Sequence, residues 1–306
     1  MILGITSPLK ILFIACLSLI GLCLESNPSW AQAIDDPAII PKPTLTDAET
    51  PRALPADIRP APSAPNTPVN SVKIAIIIDD LGYNLKQGIA TARIPGALTL
   101  AVLPQSPNGI AIAELGHQQG KLIMVHAPMS NLQQLPLDTG GLTETMSQQE
   151  FVNTLYQNLD SIPHSQGLNN HMGSHLTQLQ QPMQWLMETL ARESLFFIDS
   201  RTSPESIAWE TAQRYQVPTR KRDVFLDNHR TQEAIGEQFD ELLRIAKRRG
   251  NAIAIGHPYP ETINFLAGVI PSLHQLGVEL VPVSDLIPTP EYLDRPQVPE
   301  ISAEIL

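Results

Sequence analysis

The sequence has no cysteine beyond residue 23. Its only two, Cys16 and Cys23, sit in the first apolar segment. A disulfide-stapled scaffold is therefore excluded for the rest of the chain, and any metal bound there must be held by His, Asp or Glu. Positive charge is also scarce: 20 Lys and Arg face 31 Asp and Glu, for a net charge of −11. That argues against a nucleic-acid partner, which needs a basic surface, and against tight docking on anionic lipid. Three motifs are missing as well: a Gly-x-Ser-x-Gly elbow, a Gly-x-x-x-x-Gly-Lys phosphate loop, and a Gly-x-Gly-x-x-Gly after a strand.

What is present begins with an address. Lys10 is followed by an apolar run from Ile11 to Leu24, a polar stretch from Glu25 to Pro28, and Ala31-Gln32-Ala33. This order reads as a secretory signal peptide over residues 1–33, cleaved after Ala33. The competing reading is a membrane anchor, but the run falls short of the roughly 20 residues that span a bilayer. A lipoprotein reading through Cys23 is weakened by the bulky Leu22 before it. The expectation is export to the periplasm or beyond, with no stable membrane span after cleavage. Residues 34–71 carry prolines at 37, 41, 43, 51, 55, 60, 62, 65 and 68 and read as a disordered, semi-stiff linker. Residues 291–306 read as a flexible tail, which leaves 72–290 as the folded domain.

Within that domain strand and helix signals alternate. Lys73–Ile78 is a continuous β-branched run, as a strand buried on both faces reads. Leu98–Leu103, Leu122–Val125, Leu195–Ile198, Ala252–Ile255 and Val278–Val283 are similar, and Gly167–His171 and Val217–Phe225 are weaker candidates. Between them, Ser147-Gln-Gln-Glu150 is a capping box ahead of Phe151, Leu155 and Leu159. Met183, Leu186, Met187 and Leu190 form another helical stripe, Ser203-Pro204 reads as a helix start, and Gly250 as a helix stop. The alternation implies a parallel sheet, either open and doubly wound or closed into a barrel. In both, functional residues gather at the C-terminal strand ends.

Polar residues at those ends are Asp79 and Asp80, His126, Asn170 and His171, Asp199 with Arg201, Asp223, and His257. Two imidazoles and a carboxylate form a common ligand set for a catalytic divalent ion. Such an ion acidifies water and polarises a carbonyl, a second carboxylate can take a proton, and a further His can give one. Each residue also has a plainer reading. Paired Asp often caps the next helix, and His126, His171 and His257 could be packed core residues. Their joint occurrence at separate strand ends is what favours a site.

The run Ile76-Ile77-Ile78-Asp79-Asp80-Leu81-Gly82 resembles the first motif of polysaccharide deacetylases (carbohydrate esterase family 4). Further runs resemble, more specifically, the divergent polysaccharide deacetylase family: Met124–Met129, Gly167–Ser174, Phe197–Thr202, Arg222–Asp227 and Gly256-His257-Pro258. The resemblance implies an α/β fold, a distorted (β/α) barrel of about seven parallel strands, and metal-dependent removal of acetyl groups from N-acetylated sugars. It implies that Asp79 is the catalytic base, Asp80 a metal ligand, His126 the first metal His, and His257 the general acid. The standard family 4 enzymes carry a second metal His four residues after the first, where this chain has Ser130. His171 is the expected replacement, Asp199 the second choice and His175 the reserve. Arg201, Asn170 and Asp223 are expected to support the site, with Arg201 holding a carboxylate.

The expected cofactor is a divalent ion, zinc first, and the expected partner a polysaccharide or N-acetylated oligosaccharide, with a cell-envelope protein as a further partner. Two rival readings remain: a catalytically weak or inactive glycan-binding or envelope-interaction protein on the same fold, and a metal-free structural domain. The adjacent carboxylates pose a geometric question. In a regular strand Asp79 and Asp80 point to opposite faces, so both reach one site only if the chain turns there, and Gly82 offers a turn.

Overall fold

The structure is a computed structural model that describes residues 72–288. The expected signal peptide, the linker and the tail lie outside the described residues. Strands β1 (Val72–Leu81), β2 (Thr99–Val102), β3 (Leu122–Met129), β4 (Ser165–Met172), β5 (Phe196–Asp199), β6 (Thr219–Lys221), β7 (Val224–Phe225), β8 (Asn251–Gly256) and β9 (Val278–Leu280) form one all-parallel sheet. Its order is β6-β5-β4-β3-β2-β1-β8-β7, with β9 paired to the start of β1. This is the distorted (β/α) barrel expected from the sequence. The described strands number nine rather than seven because the run Val217–Phe225 breaks into two short pieces and β9 adds to β1 off the main path.

Helices α1 (Leu85–Ala92), α2 (Gly109–Gln118), α3 (Gln148–Asp160), α4 (Gln180–Arg192), α5 (Ala208–Arg214), α6 (Gln232–Arg249) and α7 (Pro260–Val269) lie between the strands. The Ser147–Glu150 capping box opens α3, and Gly250 ends α6 with φ 85°, a left-handed conformation that glycine adopts at little steric cost. Ser203-Pro204 does not start a helix. The Ser203 hydroxyl instead closes a turn on Glu205, and α5 begins at Ala208.

Strand alternation divides the core in two. Ile74, Ile76, Ile78, Leu100, Val102, Ile123, Val125, Leu168 and Phe197 pack outward against the helices. Ala75, Ile77, Ala101, Leu122, Met124, Phe196, Ile198, Ile253 and Ile255 fill the interior. Val281, Val283 and Leu286, which follow β9, join the interior cluster. Because the strands are buried on both faces, the sequence shows apolar runs and not alternation.

No ladder joins β6 to β7 in the described sheet. Arg220 spans that side: its guanidinium donates to Leu286 O at 2.9 Å and to Asn251 Oδ1 at 2.8 Å, tying β6 to β8 and to the C-terminal segment. Charged donors of this kind are each worth about 1–3 kcal/mol when half-buried. Arg220→Ala should therefore lower unfolding stability by about 1–3 kcal/mol in urea titration, and an unchanged midpoint would remove Arg220 as the brace.

Candidate metal centre

The interior rows of four strands end in polar residues. On β1 the row Ala75, Ile77 continues to Asp79; on β3 Leu122, Met124 continues to His126; on β4 Gly167 continues to Asn169 and His171. On β8 Ile253, Ile255 continues to His257 just past the strand. His126 and His171 lie inside their strands and not after them, since β3 runs to Met129 and β4 to Met172.

Asp80 belongs by period to the outer row. It reaches the interior because its own backbone is left-handed, with φ 56°, at a bulge where three steps of β1 face two of β2. The turn expected at Gly82 thus begins two residues earlier. Gly82 itself has φ 135°, and an added Cβ would lie 2.0 Å from Ser106 Oγ, so only glycine fits there.

Three polar atoms converge. Asp80 Oδ1 is 3.1 Å from His126 Nε2 and 2.9 Å from His171 Nδ1, and the two nitrogens are 3.0 Å apart. The buried Asp80 Oδ1 nonetheless makes no hydrogen bond. Asn169 fixes which nitrogen of His126 faces the centre. Its Nδ2 donates to Asp79 Oδ1 at 2.8 Å, so its Oδ1 faces His126 Nδ1 at 2.8 Å and can only accept. His126 therefore keeps a proton on Nδ1 and turns Nε2, the nitrogen that would ligate an ion, toward the centre. On His171, Nε2 faces Asp138 Oδ2 at 3.4 Å, and Nδ1 faces the centre. Imidazole ligands are commonly oriented in this way, through the nitrogen that does not bind.

The donor set fits a divalent cation. An ion held about 2.0–2.1 Å from each of three such atoms keeps them roughly 3 Å apart. The expected set Asp80, His126 and His171 is thus brought together. The electrostatics agree. Burial opposes a charged His126, yet Asp79 and Asp80 raise its pKa to about 9. Burial likewise opposes a charged Asp80, yet the two imidazoles hold its carboxyl well below the usual range. Asp79 goes the other way: burial pushes it up despite His126 and His257 nearby. Two adjacent carboxylates are thereby split into one that stays ionised and one able to take a proton.

His257 faces the same centre, with Nε2 3.8 Å from Asp80 Oδ2. Asp227 orients it: the carboxylate accepts His257 Nδ1–H at 2.9 Å, the His257 backbone N–H at 2.6 Å and the Thr262 hydroxyl at 2.8 Å. Burial disfavours the charged ring, but this bond and the charge of Asp80 raise its pKa.

The remaining expectations fall elsewhere. Asp199 is on the outer face, where it accepts from Arg201 N–H and Ser206 Oγ and caps the turn into α5. It is not placed as a ligand. Arg201 holds no carboxylate through its guanidinium, which donates to the carbonyls of Ser206 and Pro204. Asn170 fixes the loop after β5 by accepting from Ser200 N–H. Asp223 pairs with Arg249 and accepts from Ile253 N–H, away from the centre. His175 makes no contact with the cluster, and Ser130 donates to Glu144. Asn169, Asp227 and Asp138 were not anticipated. Counting the period of two back from His126 and His171 would have put Asn169 on the interior face. Arg222 was also missed as a support: it donates to the carbonyls of Ser200 and Arg201 and so fixes the loop under Asp79.

A family model described as divergent polysaccharide deacetylase matches residues 76–287. The uncharacterised protein YibQ of Escherichia coli (strain K12) is 36% identical over 233 residues, 76% of this chain and 71% of that protein. An uncharacterised protein of Haemophilus influenzae is 35% identical over 214 residues, 70% of this chain and 76% of that protein. The crystal structure of an uncharacterised protein of Agrobacterium tumefaciens C58 shares the fold, with a TM-score of 0.69 at 23% identity, covering 75% of this chain and 92% of that one.

Two outcomes follow for the centre. Asp80→Ala and His171→Ala should each lose bound divalent metal by elemental analysis, and full occupancy in both would overturn the ligand set. His126 keeps a proton below about pH 9 and must release it to ligate. Metal uptake at pH 7 should therefore release about one proton per ion, read by calorimetry in buffers of different ionisation enthalpy, and affinity should fall as pH falls.

Proposed function

This chain belongs to the divergent polysaccharide deacetylase family, and we propose that it is a metal-dependent hydrolase removing acetyl groups from N-acetylated sugars of an envelope or extracellular polysaccharide. The observation that carries this reading is the convergence of Asp80 Oδ1, His126 Nε2 and His171 Nδ1, with the buried Asp80 oxygen lacking any hydrogen bond. Those three residues would hold the ion. Zinc suits the nitrogen-rich set. A divalent ion there polarises an acetamide carbonyl and makes water more acidic.

The chain supplies the proton traffic. Asp79 Oδ1 is fixed by Asn169, which leaves Oδ2 toward the centre, and burial raises this carboxyl toward the working range of a general base. His257, held by Asp227 through Nδ1, presents Nε2 on the same side and keeps a proton there for the departing amine. Base and acid are thus separate groups, each locked by a neutral or anionic partner behind it. The N-terminal export signal read from the sequence suits a glycan met outside the cytoplasm.

Asp79→Asn and His257→Ala should each retain metal but lower acetate release from N-acetylglucosamine oligomers by about 10²–10⁴-fold. Unchanged rates would remove both roles. Metal-loaded wild type that binds the oligomers without releasing acetate would favour the glycan-binding alternative.

A further inference from the structure

One wall of the candidate site is a ladder of rings and guanidinium groups, of which the proton-transfer scheme uses only His257. Arg222 lies 4.8 Å over Phe225, whose centroid is 5.2 Å from that of His257. The His257 centroid is 5.4 Å from that of Tyr259, and Arg230 lies 3.6 Å over the Tyr259 ring. The inner end is committed, since Arg222 donates to the Ser200 and Arg201 carbonyls. The outer end is not. Arg230 is exposed, donates one hydrogen bond to Tyr259 Oη at 2.8 Å, and pairs with no carboxylate among the described residues.

A guanidinium has five donors in a planar fork suited to oxyanions. Stacked on Tyr259 and bonded to its hydroxyl, Arg230 is held in place and keeps most of that fork free. It stands two ring contacts from His257, in a chain of net charge −11 whose nearby acids, Asp79, Asp80 and Asp227, are all engaged deeper in the pocket. The Tyr259 hydroxyl accepts from Arg230 and so has its own proton free to donate. The pair offers a cation and a hydroxyl donor side by side at the mouth.

We infer that Arg230 and Tyr259 form a subsite for a carboxylate on the sugar next to the acetylated one, so that the substrate is an acidic glycan. This rests on the reading that the site acts on sugars. It adds a selection that the metal centre cannot make, because the acetamide itself is neutral.

The test compares two tetramers on metal-loaded protein, with Asp79→Asn introduced to prevent turnover during calorimetry: neutral chitin tetramer, and hyaluronan tetramer, in which N-acetylglucosamine alternates with glucuronate. The acidic tetramer should bind roughly three- to tenfold more tightly at low salt, the range of a partly exposed charged pair. The preference should fade near 0.5 M salt, where screening lengths are only a few Å. Arg230→Gln should bring the ratio to about one, and Arg230→Lys should keep part of it. A ratio near one with Arg230 intact, or a ratio unchanged in Arg230→Gln, overturns the subsite. Acetate release by wild type is read separately. An intact ratio without release removes the hydrolase but keeps the subsite, and release with a ratio of one does the reverse.

Discussion

Asp80 Oδ1 is buried, ionised and without a hydrogen bond, and it faces two imidazole nitrogens at about 3 Å. A buried charge left in that state costs several kcal/mol. The two imidazoles are what keep it ionised, holding its carboxyl well below the usual range. Asn169 turns His126 Nε2 toward the centre, and Asp138 stands behind the far nitrogen of His171. Both rings are thus oriented from behind, and Asp80 Oδ1 and the two inward nitrogens stand about 3 Å apart, where a single positive charge, a ring proton or a bound ion, satisfies all three. The strained φ of 56° at Asp80 belongs to the same account, because a regular strand would put its carboxylate on the outer face among the helices.

The barrel is what makes this convergence possible from residues almost 180 positions apart. Parallel strands in register present their interior rows side by side, so His126 faces Asn169 across β3 and β4, and His171 sits two residues further on the same row. The lower part of each row is apolar and the upper part polar. The interior therefore excludes water beneath the centre and concentrates charge at its mouth, where the fields of Asp79, Asp80 and His257 act at low dielectric.

Much of this was legible in the sequence. The six apolar runs and the two weaker candidates all hold strands, and Asp79, Asp80, His126, His171 and His257 do meet. What failed were the supporting assignments, for one physical reason. Proximity to a strand end does not say which face a side chain takes, and in strands buried on both faces the apolar pattern hides the period of two. Asp199 and Asn170 fall on the outer row and serve loops; Asn169, one residue away, falls on the inner row and bonds two members of the centre. Asp227 was hidden differently. It lies beyond β7, and only the pairing of β7 with β8 brings it to His257.

The same geometry accounts for Ser130. The carbohydrate esterase family 4 pattern, which the first motif resembles, has two histidines in one segment, four residues apart. Here β3 stays extended to Met129, and in an extended strand four residues span about 13 Å. A side chain at position 130 would stand far past His126, and Ser130 in fact turns to Glu144. The neighbouring strand is only about 4.8 Å away, and its interior row passes the centre at His171. With β3 straight, an imidazole from β4 is the shorter reach, and His171 Nδ1 does stand 3.0 Å from His126 Nε2. The two rings that face Asp80 therefore come from neighbouring strands and not from one segment.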